Sequence, residues 1–308
     1  MLFDPLKPML LSNQKVTPIS LSSQELLFEP KYDGYRLLLH KNNDQVRIFT
    51  RHGNEISDRL PDIVEAAKAN IRAQSVILDC EGVCFNPNLH RPDFSLFDKR
   101  AKLTKRDKIQ IAARMNPSTL VPFDLIMLDG ESLTSTSMLN RKQRLSEIIT
   151  PSNSLIPTEY TVGNGNQLFE WTLKRGWEGI VVKHVDSKYH LNSRPTNLPE
   201  AWVKWKHTKI ETVSILGYQC NPFGLLIGTT TGPIDLIQPA ALVQFGFKPK
   251  EKQEFLKIAS HLHTLKKKNV QMIEPVIRCK VEYLEKTEKG MLRTCTFRGF
   301  VKDVSLIS

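Results

Sequence analysis

Lys31 is followed by Asp33, Gly34 and Arg36 at the mouth of an apolar run, Leu37-Leu38-Leu39. An amine set beside a carboxylate, a glycine and a second cation suits covalent chemistry at phosphorus, with Lys31 as the nucleophile. Free lysine has a pKa near about 10.4, so only roughly one side chain in a thousand is neutral at physiological pH. Partial burial and neighbouring cations lower that value, and the sequence supplies the cations, so an amine depressed below the ordinary range is expected. The same residues also compose a common turn, with Asp33 accepting backbone N–H groups and Gly34 at positive φ. By itself this stretch does not separate the two readings.

Three further stretches carry groups that could serve such an amine. Glu178-Gly179-Ile180-Val181-Val182-Lys183 puts a carboxylate and an amine at opposite ends of a β-branched strand. Alternation points Glu178 and Ile180 one way and Lys183 the other, unless Gly179 allows a bulge or kink. In Trp202-Val203-Lys204-Trp205-Lys206, Lys204 shares a face with Trp202 and Lys206, while Val203 and Trp205 face the core. Two amines on one face repel unless an anion lies between them, as a triphosphate would. Leu78-Asp79-Cys80-Glu81-Gly82 lies in an apolar run, with Asp79 and Glu81 on one face beside Ile77 and Val83. A carboxylate there costs several kcal/mol unless it is paired or metal-bound, and a buried salt bridge is the ordinary alternative.

In this order and spacing, these stretches resemble the motifs of the covalent nucleotidyltransferases, most closely the ATP-dependent DNA ligases of the bacterial end-joining type, over nearly the whole chain. The resemblance implies a lysyl-AMP intermediate on Lys31 and sealing of nicked or broken duplex DNA. It implies ATP and Mg²⁺ (or Mn²⁺), with Glu29, Arg36, Arg51, Glu81, Phe123, Lys183, Lys204 and Lys206 holding the nucleotide. Arg51 would contact the sugar, Phe123 would stack on adenine, and Glu81 and Glu178 would bind metal. Asp33 would hold the Lys31 loop. Gly290–Arg293 and Phe297–Phe300 resemble the closing motif that orients pyrophosphate, with Arg298 and Asp303 in place. There the sequence departs from the family: Val301 stands where an arginine is usual, and Lys302 is one place along, on the opposite strand face. A slower self-adenylation is therefore expected. Related enzymes that share the Lys-x-Asp-Gly core, RNA ligases and mRNA guanylyltransferases, and a nick-binding protein without turnover are the alternatives.

The elements that must position these groups are legible in outline. The resemblance implies an α+β fold: an ATP-grasp-like nucleotidyltransferase domain of antiparallel sheets over 1–208, then a small all-β OB-fold domain over 209–308. Thirty residues precede Lys31, which leaves no room for a module reading nicotinamide, so ATP is the expected donor. Tyr35–His40 and Val46–Arg51 read as a hairpin. Leu60, Ile63, Val64, Ala67 and Ile71 recur at helical spacing behind Pro61. A basic helix is expected over Asp98–Arg114, and amphipathic helices over Asn140–Ile149, with Leu145, Ile148 and Ile149 inward, and over Leu168–Arg175. Leu120–Leu128 reads as a buried strand. Beyond Lys209, apolar segments at Val213–Tyr218, Leu225–Gly228, Ile234–Ile237, Val276–Tyr283 and Met291–Phe300, with a helix at Lys250–Leu262, suit a five-stranded barrel. Lys266-Lys267-Lys268 reads equally as a solvated loop and as a phosphate contact.

With 308 residues the chain can bury two cores. Its 43 Lys and Arg against 32 Asp and Glu give a net charge of +11, which favours a polyanionic partner. The five cysteines lack paired zinc spacing and read as small buried thiols. No apolar run is long enough to span a bilayer, so a cytoplasmic, nucleoid-associated monomer from a bacterium or phage is expected, with an end-binding protein open as a recruiting partner.

Overall fold

The computed structural model describes residues 2–12, 20–197, 199–231, 236–284, 286–287 and 290–301. It is α+β with antiparallel sheets and divides into two compact units, Met1–Lys206 and His207–Ser308. Among the described residues no helix is long and apolar enough to cross a membrane.

In the first unit the chain runs β1 (Leu26–Pro30), β2 (Tyr35–Asn42), β3 (Gln45–Thr50), α1 (Pro61–Asn70) and β4 (Ser75–Val83). A short hairpin, β5 (Phe85–Asn86) with β6 (Arg91–Pro92), leads to α2 (Phe94–Ala101), α3 (Arg106–Met115), β7 (Thr119–Leu128), β8 (Glu131–Ser132) and α4 (Met138–Ile148). Then come β9 (Thr161–Val162), α5 (Gly165–Lys174), β10 (Gly179–His184) and β11 (Val203–Lys206). They build a five-stranded sheet, β3-β2-β4-β7-β8, and a four-stranded sheet, β11-β10-β1-β9.

Period-two alternation explains how these sheets stack. Leu37, Leu39, Val76, Leu78 and Cys80 face the helices, where Ile63, Ala67, Phe97 and Leu145 meet them. Leu38, Ile77 and Ile126 point the other way and pack with Leu27 of β1 and with Trp202, so the two sheets share a core. Leu26 and Phe28, one residue out of phase with Leu27, join Ile180, Val182 and Val203 and the α5 residues Leu168 and Phe169 on the far side. Each such fully buried side chain contributes roughly 1.5–3 kcal/mol. Alternation therefore leaves Glu29, Val181 and Lys183 on the face between the sheets.

Two helix expectations are corrected. The basic segment is not one helix, because α2 packs on β2 and β4 whereas α3 packs on α1, and no straight helix reaches both. Asp93 starts α2 by accepting the backbone N–H of Ser95 at 2.9 Å, an N-cap that the charge run concealed. The inward face of α4 is not purely apolar: Arg141 and Lys142 are buried on it with Met138, Leu145 and Ile148.

The second unit is built on the long strand β12 (Lys209–Cys220). One edge of β12 pairs with β13 (Phe223–Thr231), which pairs with β14 (Leu236–Val243). The other edge is shared by β17 (Arg278–Tyr283) along its first half and β16 (Val270–Ile273) along its second. β15 (His263–Lys267) and β18 (Thr296–Phe300) extend that edge. Helix α6 (Pro249–Ala259) turns Phe255 and Ala259 into a core with Val213, Ile215, Ile227, Val281 and Phe297. Its first turn is tied by Lys248 N–H donating to Glu251 Oε2 at 2.7 Å. The expected five strands become seven because residues 263–273 form a hairpin. Lys266 and Lys267 lie in its exposed first strand and Lys268 turns it at φ +52°, so this run is not a loop. Of the stretch expected as Ile234–Ile237, residues 234–235 lie outside the described residues.

Candidate active site

Lys31 stands where β1 runs out. Pro30 is the last residue in register with β10, opposite Ile180, and the Lys31 N–H then donates to Gly179 O at 2.8 Å. The chain turns immediately against β4. A Cβ on Gly34 would lie 2.1 Å from Gly82 O, so only glycine allows that approach. The role expected for Gly34 is thus corrected from positive φ to close packing. Its N–H donates to Glu81 Oε1 at 3.2 Å, which ties the Lys31 turn to the middle of the five-stranded sheet.

Gly179 resolves the facing problem in the Glu178–Lys183 stretch. Its φ is +139°, and a Cβ there would sit 2.2 Å from Trp205 O. Regular alternation begins only after this kink, which frees Glu178 from the parity of the strand. Glu178 Oε2 meets Lys31 Nζ at 2.7 Å, and Oε1 pairs with Lys206. The Lys31 side chain is 19% exposed, on the protein's inner side of the turn rather than in bulk water.

Charges at this spot decide its protonation. Burial disfavours the Lys31 ammonium, but Glu178, Glu81 and Asp33 outweigh burial and hold it above the ordinary lysine value. The expected depressed amine is therefore not found: the sequence analysis counted cations, whereas the nearest groups in space are carboxylates. Burial works against ionised Glu178 too, yet Lys31 and Lys206 keep it below the usual carboxylate range. Burial pushes Glu81 up to about 7, against the pull of Lys31 and Arg36. Burial, with Lys206 and Lys31 nearby, lowers Lys204.

Beside Lys31 opens a pocket of about 490 Å³ lined by Glu29, Lys31, Tyr32, Arg36, Glu81, Phe123, Thr158, Val181, Lys183 and Trp202, with Leu11 and Pro30 at its edge. The Arg36 fork is gripped by Asp79, with Nε 2.9 Å from Oδ1, and lies 5.2 Å from the Phe123 ring centre. Tyr189 donates to Asp79 Oδ2 at 2.6 Å and completes that support. Lys183 Nζ is 2.7 Å from Glu29 Oε2, 4.2 Å from the Trp202 ring and 4.8 Å from Phe123. Its contact with Glu29 is an ion pair without hydrogen-bond alignment, as is that of Lys142. Lys142 pairs with the other Glu29 oxygen, and burial together with Lys183 lowers its ammonium to about 8 despite Glu29. Behind them Arg141 Nε meets Asp124 Oδ1 at 2.7 Å in a fully buried pair.

Most of the expected site residues thus converge, though not all. Glu29, Lys31, Arg36, Glu81, Phe123 and Lys183 line the pocket, and Glu178 and Lys206 close on Lys31. Asp33 acts on Lys31 as a charge. The Arg51 backbone donates to Arg36 O at 3.2 Å, but its exposed side chain bonds His52 at 3.0 Å and does not line the pocket. Lys204 is exposed beside Lys206 on the same strand face. In the second unit Arg298 pairs with Glu282. Lys302 and Asp303 lie outside the described residues. Asp79, Asp124, Arg141, Lys142, Tyr189 and Trp202 carry weight that the sequence analysis did not assign. A signal existed for two of them: positions 138, 141, 142, 145 and 148 form one helical face, and charge within an apolar face marks buried pairing.

Residues 8–206 match the family model described as the ATP dependent DNA ligase domain. The chain is 30% identical, over 98% of its length, to the multifunctional non-homologous end joining DNA repair protein LigD of Mycobacterium tuberculosis. It is 31% identical, over 90% of its length, to the bifunctional non-homologous end joining protein LigD of Bacillus subtilis. It spans only 39% and 46% of those relatives. Among solved structures, the ligase domain of M. tuberculosis LigD aligns with TM-score 0.55 at 28% identity, covering 100% of this chain and 99% of that one. The mycobacterial DNA ligase D complexed with ATP and MES aligns with TM-score 0.56 at 29% identity, covering 98% and 97%.

Proposed function

The chain belongs to the ATP-dependent DNA ligase family, and from that premise we propose that it seals 5′-phosphate/3′-hydroxyl nicks in duplex DNA by way of a lysyl-AMP intermediate. One observation carries this reading: Lys31, clamped by Glu178, stands at the rim of a pocket whose wall offers aromatic faces and the buried amine of Lys183, paired with Glu29. The adenine would stack against Phe123 in this pocket, and a phosphate would be a further partner for Lys183 beside Glu29.

Lys31, once deprotonated, attacks the α-phosphorus of ATP; the N–P bond forms as the bond to pyrophosphate breaks. The 5′-phosphate of the nick then takes AMP from Lys31, and the 3′-hydroxyl displaces AMP to close the strand. Negative charge builds on phosphate oxygens in each step, and Lys183, Lys204, Lys206 and Arg36 are the fixed cations that offset it. Glu178 holds the Lys31 amine in line until phosphate draws Lys206 away.

Oxygen donors suit Mg²⁺ (or Mn²⁺), which keeps phosphate and water in its shell. Among the described residues no cluster of three or more His, Cys, Asp or Glu side chains could hold a metal. Glu81 and Glu178 would hold the ion, which would supply positive charge against the phosphate. We read residues 1–208 as the adenylation domain and 209–308 as an OB-type barrel facing DNA, because one long strand, β12, is shared by β13, β16 and β17.

The test is incubation with α-labelled ATP or GTP, then with nicked DNA or nicked RNA. Label from ATP alone, lost in Lys31→Ala, and sealing of nicked DNA support the reading. Label from GTP, or sealing of RNA but not DNA, overturns it.

A further inference from the structure

Glu29 is a buried carboxylate between two buried amines: Lys142 takes Oε1 and Lys183 lies 2.7 Å from Oε2, each lysine side chain being no more than 2% exposed. The neighbouring pairs Arg36–Asp79 and Arg141–Asp124 are each balanced. Glu29 with its two lysines is not, and carries one positive charge in excess. Buried excess charge is unfavourable unless an anion arrives to meet it. Only Lys183 of the two lines the pocket, with two aromatic rings beside it. Lys142 approaches Glu29 from α4 and is not part of the pocket lining.

We propose that Lys142 is a positioning residue that keeps Glu29 paired when Lys183 turns from Glu29 to the nucleotide phosphate. This rests on the ligase reading above. With one lysine, Lys183 would face a choice. Leaving Glu29 would strand a buried carboxylate, and staying would withhold its charge from the phosphate. The second lysine removes that conflict. Lys142 acts through Glu29 and Lys183 and touches no reacting atom.

The experiment measures single-turnover labelling of the full chain from α-labelled ATP across ATP concentrations, in wild type, Lys142→Met, Lys142→Arg, Glu29→Gln and the Glu29→Gln/Lys142→Met double variant. Lys142→Met raises the half-saturating ATP concentration roughly tenfold or more while the limiting rate stays within about threefold, because ground-state binding is what it disturbs. Lys142→Arg retains near wild-type affinity. In the Glu29→Gln background Lys142→Met has no further effect on affinity, since no buried carboxylate remains to be stranded. An unchanged half-saturation in Lys142→Met, or the same loss in both backgrounds, overturns the proposal. Should Lys142→Met not fold, Lys142→Gln, which keeps a donor without the charge, gives the same comparison and the same two outcomes. A wild-type chain that takes no label overturns the ligase reading itself; a labelled wild type with an unaffected Lys142→Met overturns only the role of Lys142.

Discussion

Lys31 Nζ lies 2.7 Å from Glu178 Oε2, and the other oxygen of that carboxylate is held by Lys206. Lys31 and a carboxylate 147 residues later are thus joined by one ion pair, through a kink that only glycine permits. The pair favours the protonated amine, so on the function proposed above it must let go before Lys31 attacks.

Removing Glu178 therefore has a pH signature. The Lys31 pKa is raised, so the pair's contribution is fully present below the ordinary lysine value and lost as pH rises through the folded value. Glu178→Gln removes the strongest of the charges that raise Lys31. The rise of lysyl-AMP formation with pH then moves to lower pH, although the rate falls roughly a hundredfold for want of preorganised charge. Labelling rates across pH check this; an unmoved profile counts against it.

Gly179→Ala places a Cβ 2.2 Å from Trp205 O at φ +139°. The cost is about 2–3 kcal/mol in urea unfolding, since this backbone region is nearly exclusive to glycine. Labelling on Lys31 falls with it, because Glu178 is turned away. A variant as stable as wild type would contradict the kink.

Asp124 and Arg141 form a pair without solvent exposure. Breaking it in Arg141→Met costs about 3–5 kcal/mol, whereas replacing both by apolar residues of similar volume recovers much of the loss. Burial opposes the Asp124 charge, but Arg141 holds its carboxyl below the ordinary aspartate value. This stability is present above the ordinary value and is lost as pH falls through the folded one. Acid unfolding of wild type and Arg141→Met, followed by circular dichroism, tests both parts.

Arg298 is paired with Glu282, and the neighbouring Val301 N–H donates to Arg278 O at 2.9 Å. If Arg298 serves self-adenylation as the resemblance implies, Arg298→Ala slows that step about tenfold and leaves sealing of pre-adenylated nicked DNA nearly unchanged. Val301→Arg speeds self-adenylation. An unchanged single-turnover rate in Val301→Arg would show that the departure at this position has no kinetic consequence.

Much of the site was legible because strand parity is a local property. Val203 and Trp205 face one core while Lys204 and Lys206 face away from it, as alternation requires. The same rule placed Asp79 and Glu81 on the pocket side of β4. It failed at Glu178, where a φ of +139° at Gly179 breaks the parity that the count assumed. Charge composition was a poorer guide: the basic segment around Lys102 hid a helix break, and the lysines in the motifs suggested a cationic cage where Lys31 meets carboxylates.

From the order of residues, with the family resemblance that it carries, came Lys31 and Phe123 as expected site residues and the strands that bear the carboxylates and amines. Tertiary structure alone decided which charge meets which. Tyr189 reaches Asp79 across 110 residues, and Lys142 arrives at Glu29 from a helix in the other half of the unit. A buried charge takes the partner that packing places within about 3 Å, and distance along the chain has no bearing on that choice.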